Sequence, residues 1–204
     1  MNRREFLQAS AAAGLTLAAG PRAMATDPRV IPGPKASSWL SLLGQGLGDG
    51  HDYRPEVTGR IPDSLRGTLY RNGPGLFERN GYGKQHLLDG DGMIQAFDIG
   101  PEGARYRNHF VRTPKYLAEE AAGRFLEPTW TTLAPQWHNN LPGYPTESQA
   151  GITPVVHHDR LFALDEVGEP FELDPDTLED RGQRPIVASD APDSWKAHTK
   201  IDGA

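Results

Sequence analysis

The stretch TPVVHHDRLFALDEVGEPFEL, residues 153–173, decides the fold class of this chain. It contains three short runs rich in β-branched, aromatic and other apolar residues, at 153–157, 160–166 and 170–173, with turn-forming residues between them. Strands joined this tightly pair as an antiparallel meander. The segment Asp174–Thr177 adds a further turn. We therefore predict an all-β fold.

The residues before this stretch carry the same kind of pattern. We predict strands at 66–71, 93–99 and 104–112, and turns at 72–75 and 89–92. Within 104–112 the alternation places Tyr106, Asn108 and Phe110 on one face. One short helix is predicted over 115–124, and residues 125–151 are expected to be irregular.

Composition narrows the class of protein. The chain has 37% hydrophobic residues, 23 Gly and 18 Pro, which suits short strands and turns. It has no cysteine, so disulfides, thiolate nucleophiles and cysteine-ligated zinc are excluded. The net charge of −6 argues against nucleic acid as a partner, because phosphate binding needs clustered Lys and Arg.

The first 25 residues predict export by the twin-arginine route. Arg3 and Arg4 precede an apolar run from Ala9 to Ala19, which is shorter than the about 20 residues a membrane-spanning helix needs. The segment Ala23–Ala25 has the small-x-small pattern of a signal peptidase site. We expect residues 1–25 to be a signal peptide, the twin-arginine translocase to be a partner during export, and the protein to be periplasmic.

Residues 26–58 are predicted to form a linker and a short N-terminal helix. Apolar residues at 39, 40, 43 and 47 have helical spacing, and Ser37 or Ser38 can cap the helix. The apolar face is expected to dock on the domain. Peripheral contact with a membrane is the alternative.

Single motifs do not reveal a function. Asp89–Met93 (DGDGM) resembles the start of a calcium loop but lacks the later acidic positions, so a tight turn is favoured. The chain has no G-x-S-x-G, the nucleophile elbow of common hydrolases. It has seven histidines, and their spacing alone singles out none as a ligand.

Taken together, several segments in collinear order resemble the carotenoid cleavage oxygenase family. They extend from Gly59 to Asp202 and include GRIPDSLRGTLYRNGPG (59–75), HLLDGDGM (86–93), NHFVRT (108–113) with Tyr116 and Glu119, LFALDE (161–166), DTLE (176–179) and AHTKID (197–202). We accordingly expect residues 59–204 to form the N-terminal part of the oxygenase domain.

The resemblance implies a seven-bladed β-propeller with one Fe(II) held by four histidines. It also implies oxidative cleavage, with O₂, of a conjugated C=C bond in a small apolar substrate, which is a carotenoid, an apocarotenoid or a stilbene. His198 occupies an iron-ligand position. Glu166 occupies the position of a glutamate that orients a ligand histidine by accepting its outer N–H. No catalytic residue is assigned.

The sequence departs from the family pattern at two positions near this site. Thr199 stands where the family usually has proline, and Asp165 where an aromatic is common. Only one ligand segment is found, so we expect the chain to be the front part of a propeller and inactive by itself. The alternative is a small exported β-domain that binds an apolar ligand without catalysis.

Overall fold

The structure, a computed structural model, describes residues 48–80, 82–84, 86–130, 147–184, 186 and 197–199. Within these ranges, antiparallel strands predominate and helix is scarce. The strands are β1 (Asp52–Tyr53), β2 (Gly67–Leu76), β3 (Glu78–Arg79), β4 (Tyr82–Gly83), β5 (Asp91–Gly100), β6 (Gly103–Phe110), β7 (Thr153–His157), β8 (Arg160–Leu164), β9 (Phe171–Leu173) and β10 (Asp180–Gln183); the α-helix is α1 (Pro114–Ala122). The all-β prediction is therefore confirmed at this level.

The first sheet has the strand order β1-β6-β5-β2, and each neighbouring pair is antiparallel. Strands β5 and β6 form a hairpin that closes at Gly100 and Gly103. Gly103 has φ +128°, a conformation that L side chains rarely adopt, so glycine suits this turn. Tyr106, Asn108 and Phe110 of β6 are all buried, as the predicted alternation requires.

The turn predicted at 72–75 is wrong. Strand β2 runs straight through these residues, and Asn72, Gly73 and Pro74 pair with Ile94, Met93 and Gly92 of β5. Strand β2 lies at an edge of its sheet, and the register shifts between Pro74 and Leu76. Edges and bulges are the places where a sheet accepts proline, so long-range pairing overrides the local turn preference.

The second sheet is the meander predicted from residues 153–173. Its order is β10-β9-β8-β7, with antiparallel pairs throughout. The β7–β8 turn places His158 and Asp159 at φ +46° and +57°. Positive φ at both central residues is the geometry of the type I′ turn, which matches the twist of the two strands it joins.

The hydrophobic core lies between the two sheets. The first sheet contributes residues of β5 and of the segment after β6. The second sheet contributes residues of β8, of β9, of the turn after β9 and of the segment before β7. The buried residues are Ile94, Ala96, Val111, Ala150, Leu161, Ala163, Phe171, Leu173 and Leu178. Tyr70 packs against this core, and its hydroxyl donates to the carbonyl oxygen of Pro175 at 2.9 Å. The two sheets are thus stacked as neighbouring layers with one shared core.

Helix α1 begins and ends with recognisable caps. The Thr113 side chain accepts from the backbone N–H of Tyr116, and Gly123 ends the helix in the left-handed conformation at φ +65°. The predicted helix at 115–124 is confirmed with slightly earlier bounds. The helix expected near residues 37–43 lies outside the described residues. No helix among the described ranges is long and apolar enough to cross a bilayer.

Candidate functional site

Glu166 lies just after β8, where the chain leaves the second sheet. Its backbone N–H donates to Asp165 Oδ1 at 2.6 Å. About 31% of its side chain is exposed. The glutamate is therefore fixed at its backbone, while its carboxylate reaches the surface of the described part of the chain.

His198 comes to the same place from a segment far along the chain. It lies in a short turn next to Ala197, which is fully buried and anchors the backbone. The His198 side chain is 86% exposed, and its Nε2 lies 3.3 Å from Glu166 Oε1. The structure thus brings together the two residues that the family resemblance had singled out.

In this geometry the two ring nitrogens of His198 can have different roles. The nitrogen of His198 that faces the carboxylate can donate its hydrogen to Glu166, which fixes the tautomer and the ring orientation. The other ring nitrogen then keeps its lone pair for a metal ion. Whether these residues perform these roles stays a prediction at this point.

The described residues do not by themselves enclose a metal ion. Among them, no three histidine, aspartate or glutamate side chains come together to hold a metal ion. His198 would supply one imidazole among several ligands of a metal ion, and Glu166 would supply a carboxylate that accepts the outer N–H of a ligand histidine.

Asp165 is a site residue whose position sequence reasoning missed. The residue is 3% exposed, and its Oδ2 accepts from the backbone N–H of Gln149 at 2.9 Å. Burial raises the pKa of Asp165, while the N–H groups of Gln149 and Glu166 act in the opposite direction. The only signal in the sequence was that an acid stands where the family commonly has an aromatic.

The segment Asp89–Gly92 packs beneath these residues from the neighbouring sheet. A short 3₁₀ turn, Leu87–Asp89, precedes Gly90, and β5 begins at Asp91. The backbone N–H of Gly92 donates to the carbonyl oxygen of Gln149 at 2.9 Å. A Cβ at position 92 would lie 2.2 Å from the carbonyl oxygen of Ala150, so only glycine fits.

Asp91, the second aspartate of this segment, faces cations of the protein itself. Asp91 Oδ1 accepts from Lys115 Nζ at 2.5 Å, and Arg79 lies 3.5 Å from Oδ2. Lys115 also donates to Glu119 at 2.8 Å. Burial acts to lower the pKa of Lys115, but the two carboxylates outweigh it and raise the pKa. The calcium-loop alternative is thus disfavoured against a structural role.

One further histidine is held by carboxylates rather than poised for a metal. His109 Nδ1 lies 3.2 Å from Asp49 Oδ1, and Nε2 lies 2.9 Å from Asp180 Oδ2. Hydrogen bonds to Asp180 and Asp49 raise the pKa of His109 to about 9. Both ring nitrogens face carboxylates, and this arrangement favours a structural role over metal ligation.

With the geometry established, the sequence can be compared with known proteins. Residues 48–204 match the family described as retinal pigment epithelial membrane protein, the carotenoid oxygenase family. This chain belongs to the carotenoid oxygenase family. The resemblance seen in the sequence is confirmed.

Curated relatives in the family include three kinds of oxygenase. Apocarotenoid-15,15'-oxygenase of Synechocystis is 38% identical over 162 residues, covering 75% of this chain and 32% of the relative. Isoeugenol monooxygenase of Pseudomonas nitroreducens is 32% identical, covering 72% and 30%. Resveratrol cleavage oxygenase 1 of Botryotinia fuckeliana is 33% identical, covering 72% and 26%. The chain thus spans about a third or less of these relatives.

Solved structures agree with the family assignment. A glutamate-to-aspartate mutant of Synechocystis apocarotenoid oxygenase superposes with a TM-score of 0.65 at 34% identity, covering 76% of this chain and 33% of that one. Cobalt-substituted Synechocystis apocarotenoid oxygenase gives 0.64 at 35% identity, covering 72% and 31%. These neighbours are propellers, so the two sheets are parts of a propeller fold. The count of seven blades stays a prediction.

Proposed function

We propose that this chain supplies one iron ligand, His198, and one of the carboxylates that orient ligand histidines, Glu166, to an Fe(II)-dependent oxygenase. The observation that supports the proposal is the 3.3 Å approach of His198 Nε2 to Glu166 Oε1. The two residues come from separate segments that both match the family pattern. A carboxylate beside a histidine is the usual means of fixing a ligand imidazole.

The proposed reaction is oxidative cleavage of a conjugated carbon–carbon double bond. The two carbons of the bond receive the two atoms of O₂ and become two carbonyl groups, so atoms balance without another reductant. Relatives named for apocarotenoids, isoeugenol and resveratrol support an apolar, conjugated substrate. A bound ferrous ion would supply the redox chemistry that O₂ requires, His198 would be one of the residues that hold it, and Glu166 would accept the outer N–H of a ligand imidazole.

We further propose that the protein acts in the periplasm. The support is the twin-arginine pattern in residues 2–25, which lies outside the described residues. The twin-arginine route carries folded proteins, so iron would be bound before export. For the helix expected in residues 26–58 we propose docking on the domain, with peripheral contact with a membrane as the alternative.

The ligand assignment is tested on the product of the complete genomic reading frame with Co²⁺ as the probe, because this chain is expected to carry only one of the ligand histidines. In a ¹⁵N-labelled sample, Co²⁺ is expected to shift or broaden the ring resonances of His198. The variant H198A is expected to lose this site, and E166Q to bind about 10- to 100-fold more weakly. An unchanged Co²⁺ affinity in H198A would exclude His198 as a ligand.

The reaction is tested on the product of the complete genomic reading frame. Supplied with Fe²⁺ and O₂, it is expected to convert an apocarotenal or resveratrol into two shorter carbonyl products. The H198A variant of the same product is the control and is expected to lose turnover. Full turnover by H198A would refute the role of this histidine.

A second candidate is an exported β-domain that binds an apolar ligand without catalysis. A cavity of about 230 Å³ lined in part by Leu65, Leu69 and Ile99 favours it. Leu65 and Leu69 are both more than half exposed. Binding of retinal by the 204-residue chain that is lost in L69N but kept in H198A would support this candidate.

A further inference from the structure

The tip of the β7–β8 hairpin carries two adjacent histidines. His157 is the last residue of β7 and pairs with Arg160, and His158 is exposed in the turn. We propose that the imidazoles of His157 and His158 form a two-histidine chelate for a divalent transition-metal ion, with Cu²⁺ as the preferred ion. This site is separate from the proposed iron site and does not depend on the oxygenase function.

The backbone of the turn is what brings the two rings together. Consecutive residues of a regular strand point their side chains to opposite faces, which would keep two adjacent imidazoles apart. His158 departs from this pattern because its φ is +46°, and Asp159 follows with φ +57°. The ring of His158 then lies beside that of His157, with the centroids 4.1 Å apart and an interplanar angle of 66°.

The separation of the two rings suits a shared ion. A transition-metal ion binds an imidazole nitrogen at about 2.0–2.1 Å, so two rings at a right angle about one ion have centroids about 4.5 Å apart. The centroids of His157 and His158 are 4.1 Å apart. Small rotations about side-chain bonds therefore suffice to direct one nitrogen of each ring to the same ion.

The charges around the hairpin tip are compatible with a bound cation. Asp159 is exposed and adds a negative charge next to the two rings. The guanidinium of Arg160 lies 2.7 Å from Glu172 Oε2 and 4.6 Å from the centroid of the Phe162 ring. The positive charge of Arg160 is thus balanced by Glu172.

The pair of imidazoles selects the kind of ion. Among the described residues, no three histidine, aspartate or glutamate side chains are grouped to hold a metal ion, so water would complete the coordination at the hairpin tip. Ca²⁺ and Mg²⁺ prefer oxygen ligands, whereas imidazole suits zinc, nickel and copper, of which Cu²⁺ binds most tightly. Tetragonal coordination by nitrogen and oxygen is also typical of Cu²⁺ and Ni²⁺.

The hairpin tip and the candidate iron ligands lie at opposite ends of β8. The turn precedes Arg160, the first residue of β8, and Glu166 follows Leu164, the last. Five residues of strand, about 17 Å in length, separate the two places. A metal titration of this protein would therefore count the hairpin site in addition to the iron site.

The test is Cu²⁺ binding to the product of the complete genomic reading frame, measured by titration calorimetry and electron paramagnetic resonance. Each variant is compared with the parent protein, so that binding elsewhere in the molecule is common to both. H158N removes one ring and keeps the turn, because asparagine also accepts positive φ. H157Q removes the other ring. We expect either variant to weaken binding at this site about 100-fold or more and to lose the splitting by two nitrogens, because a chelate needs both ligands.

Two control variants separate the turn geometry from the presence of histidine. V156H/H158N keeps two adjacent histidines, but both lie in β7, where alternation holds their rings on opposite faces. Val156 is 51% exposed, so the strand can accept this change. We expect this variant to bind Cu²⁺ no better than H158N. H51N removes another exposed histidine and is expected to bind as the parent does.

The inference is overturned if H157Q or H158N, folded as judged by circular dichroism, binds Cu²⁺ as tightly as the parent. A loss of only about twofold in each would also overturn it, since the two histidines would then act independently. Tight binding by V156H/H158N would show that the turn geometry does not matter. If one single variant fails to fold, the other decides the question by itself.

Discussion

His109 on β6 and Asp180 on β10 join the two sheets through a hydrogen bond of 2.9 Å between Nε2 and Oδ2. The other ring nitrogen faces Asp49 at 3.2 Å. The imidazole therefore needs both hydrogens to satisfy both carboxylates, and it is cationic at neutral pH. This pair adds an ionic contact to an interface that also contains an apolar core and neutral hydrogen bonds such as that of Tyr70 with Pro175.

We predict that the His109 contribution to stability is lost in alkali. The carboxylates raise its pKa from 6.5 to about 9, so the contribution is fully present below pH 6.5 and disappears as pH rises through about 9. Discounted for solvent screening of the partly exposed ring, it amounts to about 1–2 kcal/mol. Urea unfolding at about pH 6, pH 7.5 and pH 9.5, which lie on either side of the two pKa values, measures this contribution. The control variant H109Q is expected to show a flatter profile, and an equally steep one would contradict the assignment.

We predict that the contribution of Asp49 to stability is lost in acid. Burial acts to raise its pKa, but hydrogen bonds from His109, Phe110 and Arg112 outweigh it and lower the pKa from 3.8 to about 2. Its contribution is present above about pH 3.8 and is lost as pH falls through 2. The variant D49N is expected to unfold with less acid dependence than the parent chain. The measurement is acid unfolding followed by circular dichroism. Identical curves for D49N and the parent chain would show that Asp49 makes no such contribution.

Replacing Lys115 by methionine should destabilise the protein by about 3–5 kcal/mol, because it leaves the buried carboxylates of Asp91 and Glu119 without their shared cation. The Arg60–Asp63 pair is exposed, so R60M is the control and should change stability by less than about 1 kcal/mol. Denaturant unfolding measures both variants. A loss below about 1 kcal/mol in K115M would refute the structural importance of the buried pair.

Replacing Gly92 by alanine should cost about 1–3 kcal/mol or more, because the new Cβ would lie 2.2 Å from the carbonyl oxygen of Ala150. Gly73 lies in the paired strand β2 with open space around its Cβ position, so G73A is the matched control and should be close to neutral. Thermal unfolding compares the two. Equal melting temperatures for G92A and G73A would show that the backbone contact does not matter.

Replacing Arg3 and Arg4 by lysine should abolish export, because the twin-arginine pair is what the translocase recognises. The measurement is the distribution of the protein between periplasmic and cytoplasmic fractions. R22K is the control, since Arg22 lies outside the twin-arginine pair. Undiminished periplasmic accumulation of the R3K/R4K variant would refute the predicted route.

Much of the local structure could be predicted because it depends on nearby residues. Strand β7 has the predicted bounds, 153–157, since turn residues delimit it on both sides. Helix α1 was predicted from a short local pattern and is capped by Thr113 and Gly123 within the same segment. Strand β2 was cut short in the prediction, because its pairing with β5 lies outside any local window.

The candidate site, like the fold, could be predicted only in part from the sequence. His198 and Glu166 were named from the family pattern, and spacing alone would have found neither. The contact of Asp165 could not be predicted, since its partner, the backbone N–H of Gln149, belongs to a separate segment that precedes β7. The contacts of His109 with Asp49 and Asp180 could not be predicted either. Alternation along β6 tells which face of the strand a residue lies on, but it does not identify the residue that it contacts in the other sheet.

Pro74 has a consequence for how this protein behaves before it is fully folded. Strand β2 ends its sheet, and among the described strands β5 is its only partner within that sheet. An uncovered strand offers its backbone to any other extended chain, which is how misassembly between molecules begins. Pro74 has no backbone N–H to offer, and the register shift beside it bends the strand. The same residue that misled the turn prediction thus makes β2 a poor template for aggregation while the polypeptide is being synthesised and sorted.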